Sequence, residues 1–169
     1  MTLPLSRASV TVYTRLLPLL ATTIDKAAEH AGAGSIDPAA LLDARLFPDM
    51  WPFKRQVQAA TNHAFRGVAR LAGLPIPEIT EAAASFADLR QRVTETLAFI
   101  ESVDPAAVDA GATREITFPM GSRQATLSGT DYFFNFSLPN FYFHLTTAYD
   151  ILRTNGVPLV KDDFVGRIE

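Results

Sequence analysis

The sequence predicts a mainly α-helical fold: a four-helix bundle with a short helix between its first two long helices and a small β-hairpin before the last. Three observations lead there. Four long stretches carry apolar residues at three- and four-residue spacing, glycines and prolines punctuate them, and in one short interval the period falls to two. The 169 residues are read as one domain spanning 1–169. At this size folding buries roughly two-thirds of the surface exposed by the unfolded chain, so no covalent staple is required.

The first helix is predicted from about Leu5 to Ala31, with Leu16, Leu20, Ile24 and Ala27 on its buried face. Pro18 lies inside it and is expected to bend it, because proline removes a backbone donor and crowds the preceding turn. Gly32 and Gly34 end it, and His30 in its last turn complements the helix dipole. Asp37-Pro38 reads as an N-cap followed by proline at the first helical position, opening a short helix to about Ala44. Pro48 and Pro52 bracket a loop carrying Met50 and Trp51.

The second long helix runs from Pro52 or Phe53 to Ala72 and stops at Gly73, with Phe53, Val57, Ala60, Ala64, Val68 and Leu71 on its apolar arc. Several of these are small, which lets a neighbouring helix come close. Ser85 with Asp88 three residues on announces the third helix, through Leu89, Val93, Leu97 and Ile100 to the neighbourhood of Asp104-Pro105. Residues 114–118 and 123–127 then alternate polar and apolar around Pro119-Met120-Gly121-Ser122, a hairpin signal. Two strands alone are marginal in water, so the hairpin is expected to pack on the helices or on a partner chain. The last helix starts near Thr130-Asp131 and reaches Thr154, before Asn155-Gly156 and Pro158. The tail to Glu169 has little periodicity, with Phe164 as a possible anchor.

Composition removes several function classes. The chain has no cysteine, so disulfide scaffolds, zinc-thiolate sites, iron–sulfur clusters and cysteine nucleophiles are excluded. Fifteen basic against eighteen acidic residues give net −3, no electrostatic footprint for nucleic acid. Lys54, Arg55, Arg66 and Arg70 are read as the solvated outer face of one helix. Residues 1–7 carry no signal-like apolar core, and the greasiest stretch, Tyr132 to Phe143, is interrupted by Asn135, Ser137, Pro139 and Asn140, far short of the roughly 20 apolar residues of a spanning helix. A cytoplasmic protein with no membrane or nucleic-acid partner is the expectation. No phosphate loop, dinucleotide fingerprint or Ser-His-Asp order stands out.

The last helix carries the functional signal. Eight of the seventeen aromatic residues lie between Tyr132 and Tyr149. At about 100° per residue, Phe133, Phe136, Asn140, His144, Thr147 and Ile151 form one stripe, and Phe134, Leu138, Phe141, Leu145 and Leu152 a second. Asn140 and His144, four residues apart, are neighbours near the middle of this wide arc. A buried amide and imidazole each need a hydrogen-bond or metal partner, or each costs of order 1–3 kcal/mol. Pro139 cannot donate to the carbonyl of Asn135, which leaves that acceptor free or bends the helix locally. Gln56 and His63, on one line of the second long helix, can face Asn140 and His144. A structural hydrogen-bond pair that fixes helix packing is the competing reading of Asn140 and His144.

The run Leu138-Pro139-Asn140-Phe141-Tyr142-Phe143-His144-Leu145-Thr146-Thr147-Ala148-Tyr149, with Ile151-Leu152-Arg153, Asn155-Gly156-Val157-Pro158-Leu159, Pro48-Asp49-Met50 and Gln56-Val57-Gln58, resembles a group of uncharacterised bacterial proteins allied to the DinB-like four-helix-bundle superfamily. The resemblance covers nearly the whole chain. It implies a fold often assembled as a homodimer, and a site that commonly holds a divalent metal such as zinc or nickel on three histidines, one from the second helix and a His-x-x-x-His pair later. Some members transfer groups to or from small thiols. Here His144 matches the second position of that pair, Asn140 stands at the first, and His63 or Gln56 is the second-helix candidate, so a metal would rest on His144 and His63 with amides.

Two functions follow. One is a dimeric binding module with a degenerate or absent metal site, whose aromatic pocket near Trp51, Phe136, Phe141 and Phe143 takes an apolar small molecule. The other is a metal-dependent small-molecule (thiol) transferase or hydrolase in which His144 works with a metal, or alone as acid or base.

Overall fold

The structure, a computed structural model, describes residues 3–34 and 36–167; the ends of the 1–7 stretch and of the C-terminal tail lie outside the described residues. In chain order the elements are α1 (Leu5–Gly32), α2 (Pro38–Asp43), α3 (Phe53–Ala72), α4 (Phe86–Ser102), α5 (Pro105–Asp109), β1 (Glu115–Met120), β2 (Arg123–Ser128), α6 (Gly129–Tyr132), a π-helical turn (Phe133–Ser137), α7 (Leu138–Thr154) and α8 (Lys161–Val165). The four long helices α1, α3, α4 and α7 enclose the core, α3 packing on α7 and α4, and α1 on α4 and α8. Leu17 and Ile24 of α1, Val57, Ala60, Ala64 and Val68 of α3, Leu89 and Val93 of α4, and Phe141, Ala148 and Ile151 of α7 are buried there. The fold is mainly helical, with one antiparallel hairpin.

Local chemistry explains the boundaries. Asp37 accepts from the Ala40 amide ahead of Pro38, and Ser85 and Asp88 complete a reciprocal cap, each side chain accepting from the other's backbone N–H. Asp104-Pro105 repeats the aspartate–proline signal and opens α5, a helix absent from the sequence expectation; Asp104 caps the Ala106 amide at 2.9 Å. Pro18 does not interrupt α1, and its ring is exposed. The tail folds into α8, too short to show periodicity, and is tied down by a Lys26–Asp163 ion pair of 2.7 Å and the Phe164 ring edge-on to Tyr149.

The strands pair from Glu115↔Ser128 to Met120↔Arg123, so Pro119 and Met120 belong to β1 and the turn shrinks to Gly121-Ser122. Gly121 has φ of 63°, the positive value that the first central residue of a tight two-residue hairpin turn requires. Ile116 and Phe118 are buried, and the Phe118 ring lies 4.8 Å from Tyr132 and 4.4 Å from Phe136. The hairpin therefore packs on the start of the last helical run.

The distortion expected at Pro139 is a full π turn just before it. Its effect is to break the uniform 100° stripe: Phe133 is fully buried edge-on to Tyr13 of α1, whereas Phe136 turns toward α3 and lies 5.4 Å from the His63 ring. Ser137, outside both predicted stripes, is fully buried. Its hydroxyl donates to the His63 carbonyl at 2.8 Å and lies 3.1 Å from the Tyr13 hydroxyl. Because the single Ser137 proton is used, Tyr13 donates. Gly67 on α3 permits this approach, since a Cβ there would clash with Ser137 Oγ.

Candidate functional site

Close packing of α3 on α7 brings His63, Asn140 and His144 to one cavity of about 270 Å³, with Trp51, Phe136 and Pro119 also lining it and Gln56 buried behind His144. Gln56 and His144 are buried and bonded: His144 Nδ1 lies 2.7 Å from Gln56 Oε1. The roles follow from the other end of the amide. Gln56 Nε2 donates to the Trp51 carbonyl at 2.9 Å, a group that only accepts, so Oε1 faces the imidazole and Nδ1 carries the proton. His144 Nε2 keeps its lone pair and makes no hydrogen bond among the described residues. Trp51 stacks on the His144 ring at 5.6 Å from one side and His63 at 5.7 Å from the other.

Burial pushes both imidazoles down to about 4, so both are neutral at pH 7. For His63 the neighbouring His144, Arg66 and Arg70 add to that effect. The arginines correct a sequence expectation. Arg55, Arg66 and Arg70 line the cavity; Arg55 remains exposed as expected, whereas Arg66 and Arg70 are half-buried. At about 100° per residue, positions 55, 59, 62, 66 and 70 fall beside His63, so spacing gave their side of α3 but not that the hairpin covers it. Arg70 is held by a 2.9 Å hydrogen bond to Tyr132 and lies over the Phe118 and Tyr132 rings, and Arg55 sits 5.2 Å over Trp51. No aspartate or glutamate lines the cavity.

Sequence reasoning also missed Gln58, Asn62 and the buried arginine behind them. Arg92 is fully buried; it donates to Thr61 and Asn62 at 2.7 and 2.6 Å and to the Thr80 carbonyl, with Glu81 at 3.7 Å. Gln58 Nε2 donates to the Glu81 carbonyl at 2.8 Å. Together they fasten the loop after α3 to the cavity wall. Arg92 stands on the buried line of Leu89, Val93, Thr96 and Ile100, so its spacing matched burial and only its charge argued against it.

The expected aromatic pocket is reorganised. Trp51 and Phe136 are at the cavity, but Phe141 lies in the core against Tyr13 at 4.9 Å, and Phe143 is 55% exposed. Amides, imidazoles and guanidinium groups, not aromatic rings alone, make up the lining.

The donor set does not fit the zinc or nickel centre implied by the DinB resemblance. Among the described residues no three His, Cys, Asp or Glu side chains come together to hold a cation. Asn140 half-buries its amide and turns Nδ2 to the Phe136 carbonyl at 2.7 Å. Gln56 is spent between Trp51 and His144. Two imidazoles with no third imidazole or carboxylate, beside three arginines, leave a divalent cation short of ligands in a repulsive field.

Comparison with known proteins agrees with the fold. A crystal structure of a DinB family member protein from Shewanella denitrificans is 36% identical, with a TM-score of 0.88, over 97% of this chain and 93% of that one. No curated protein matches the chain. No helix among the described residues is long and apolar enough to cross a membrane. Residues 5–165 match the family described as a domain of unknown function, DUF1993, and with nearly its whole length matched the chain belongs to that family.

Proposed function

We propose that this chain is a small-molecule-binding protein, a DinB-like relative whose cavity between α3 and α7 takes its ligand directly and without a resident metal. The observation that carries the reading is the poised His144: its Nδ1–H is committed to Gln56, and its Nε2 lone pair is left for a ligand. His63, Asn140, Trp51 and Phe136 supply the rest of the ligand-binding set, and Gln56 orients His144 from behind. The competing reading, a metal-dependent thiol transferase or hydrolase using His144, needs cation ligands that this site lacks. A cytoplasmic homodimer of single-domain subunits completes the proposal, with exposed Phe134, Phe143 and Phe47 as apolar surface for a second copy. Sedimentation at micromolar concentration tests the dimer, and a single 18.4 kDa species removes it.

The binding test uses the only tryptophan, Trp51, stacked on His144. Neutral apolar, thiol and anionic compounds are titrated against the full chain, following Trp51 emission and the thermal midpoint. At least one class is expected to saturate in the parent protein and fail to in His144→Ala. Compounds that stabilise parent and variant equally bind elsewhere and contradict the proposal.

A further inference from the structure

Among the described residues most of the fifteen basic side chains have no acidic partner within 4 Å; the cavity is distinct in gathering three of them on one concave surface with no acid in its lining. Lys26, Lys54, Arg90 and Arg92 each have an acidic partner within 4 Å. Arg55, Arg66 and Arg70, the three basic side chains at the cavity, have none among the described residues. Arg66 and Arg70 stand four residues apart on α3, so two like charges are neighbours with no acid between them. Such a pair is unfavourable unless something negative meets it.

The remaining polar groups point the same way. Arg66 Nε is buried and finds no acceptor among the described residues, a deficit of the kind that an incoming oxygen removes. Arg70 commits Nη1 to Tyr132 and is braced over two rings, so it presents its other N–H groups from a fixed position. Asn62 Oδ1 is taken by Arg92, which leaves its amide hydrogens as donors at the cavity. Against these donors stand few acceptors: the Nε2 lone pair of His144, one ring nitrogen of neutral His63 and Asn140 Oδ1.

Resting on the binding function proposed above, we infer that the ligand is a small hydroxylated organic anion, its carboxylate or phosphate gripped by Arg66 and Arg70 and its hydroxyl donating to His144 Nε2. Guanidinium groups meet such oxyanions through paired N–H donors, which explains arginine at both positions. Along α3, Arg66 lies roughly 4.5 Å and Arg70 roughly 10 Å beyond His63, and the His144 ring stacks 5.7 Å from His63, so the ligand spans from the arginines past His63 to His144. An apolar ligand would instead cover three cations without neutralising them.

The test is thermal unfolding of the full chain with inorganic phosphate, malate or benzyl alcohol, at ionic strength held constant with sodium chloride. Phosphate, malate or both are expected to raise the midpoint saturably, which of them does so separating the phosphate source from the carboxylate source. Arg66→Gln and Arg70→Gln should each weaken that response at least tenfold, and Arg90→Gln, a surface residue paired with Asp25, should leave it unchanged. If circular dichroism shows that Arg66→Gln is unfolded, Arg66→Lys takes its place, and a weaker but measurable response is expected. Anions that stabilise the Gln variants as well as the parent overturn the inference. Saturable binding of benzyl alcohol alone overturns it while leaving the binding function standing, and no response to any of the three overturns both.

Discussion

Acidification is the perturbation that reads the candidate site most directly. His63 and His144 are held at about 4 in the folded protein, whereas the unfolded chain titrates near 6.5. With the folded value the lower, the unfolded state binds more protons between these limits, so stability is full above pH 6.5 and falls as pH drops toward 4. At about 1.4 kcal/mol per pH unit, the gap corresponds to roughly 3 kcal/mol for His144 alone, and about 2 kcal/mol of it is lost by pH 5. His63 adds to the loss. Urea unfolding followed by circular dichroism at pH 7 and pH 5 measures it. His144→Gln, which keeps a partner for Gln56 without the titration, should show roughly half the parent's dependence. A parent protein equally stable at both pH values, or the same dependence in His144→Gln, refutes the reasoning that these rings are buried and neutral.

Gly67→Ala should destabilise by roughly 1–3 kcal/mol in the same assay, because the new methyl meets Ser137 Oγ at the π turn. Tyr13→Phe should cost about 1 kcal/mol, the worth of its buried hydrogen bond to Ser137, since the serine still donates to His63. Arg92→Met should cost roughly 3 kcal/mol, because Asn62 and the Thr80 carbonyl lose their donor. Glu81→Gln should change stability by less than about 1 kcal/mol, because that carboxylate is 64% exposed and makes only the long contact to Arg92.

The fold was legible because its signals are local and redundant. The aspartate–proline pair at 37–38, the Ser85/Asp88 box and the glycine after Ala72 each mark a helix end within a few residues, and the apolar spacing of α3 and α4 names their buried faces. The same aspartate–proline signal at 104–105 was taken only as a stop and in fact opens α5. The π turn was harder. Proline at 139 signals lost hydrogen bonding, but whether the helix kinks or inserts a residue depends on the Ser137 contacts with Tyr13 and His63, which are 124 and 74 residues away in sequence. That insertion separates Phe133 from Phe136, and no uniform helical wheel reproduces it.

At the site, the pairing of Gln56 with His144 and the approach of His63 followed from matching stripes on two helices. The sign of the cavity did not. Arg66 and Arg70 looked like ordinary surface cations because a wheel shows which side a residue leaves from, not whether another element roofs it. Here the hairpin, through Pro119 and Phe118, closes that side over the arginines.

On the proposed function, the cavity between α3 and α7 takes an organic ligand where the DinB resemblance implies a metal. Calorimetric titration of the tag-free chain with zinc, nickel and manganese separates the two. No stoichiometric binding by any of the three ions is expected. One-to-one binding that disappears in His144→Ala would contradict the proposal.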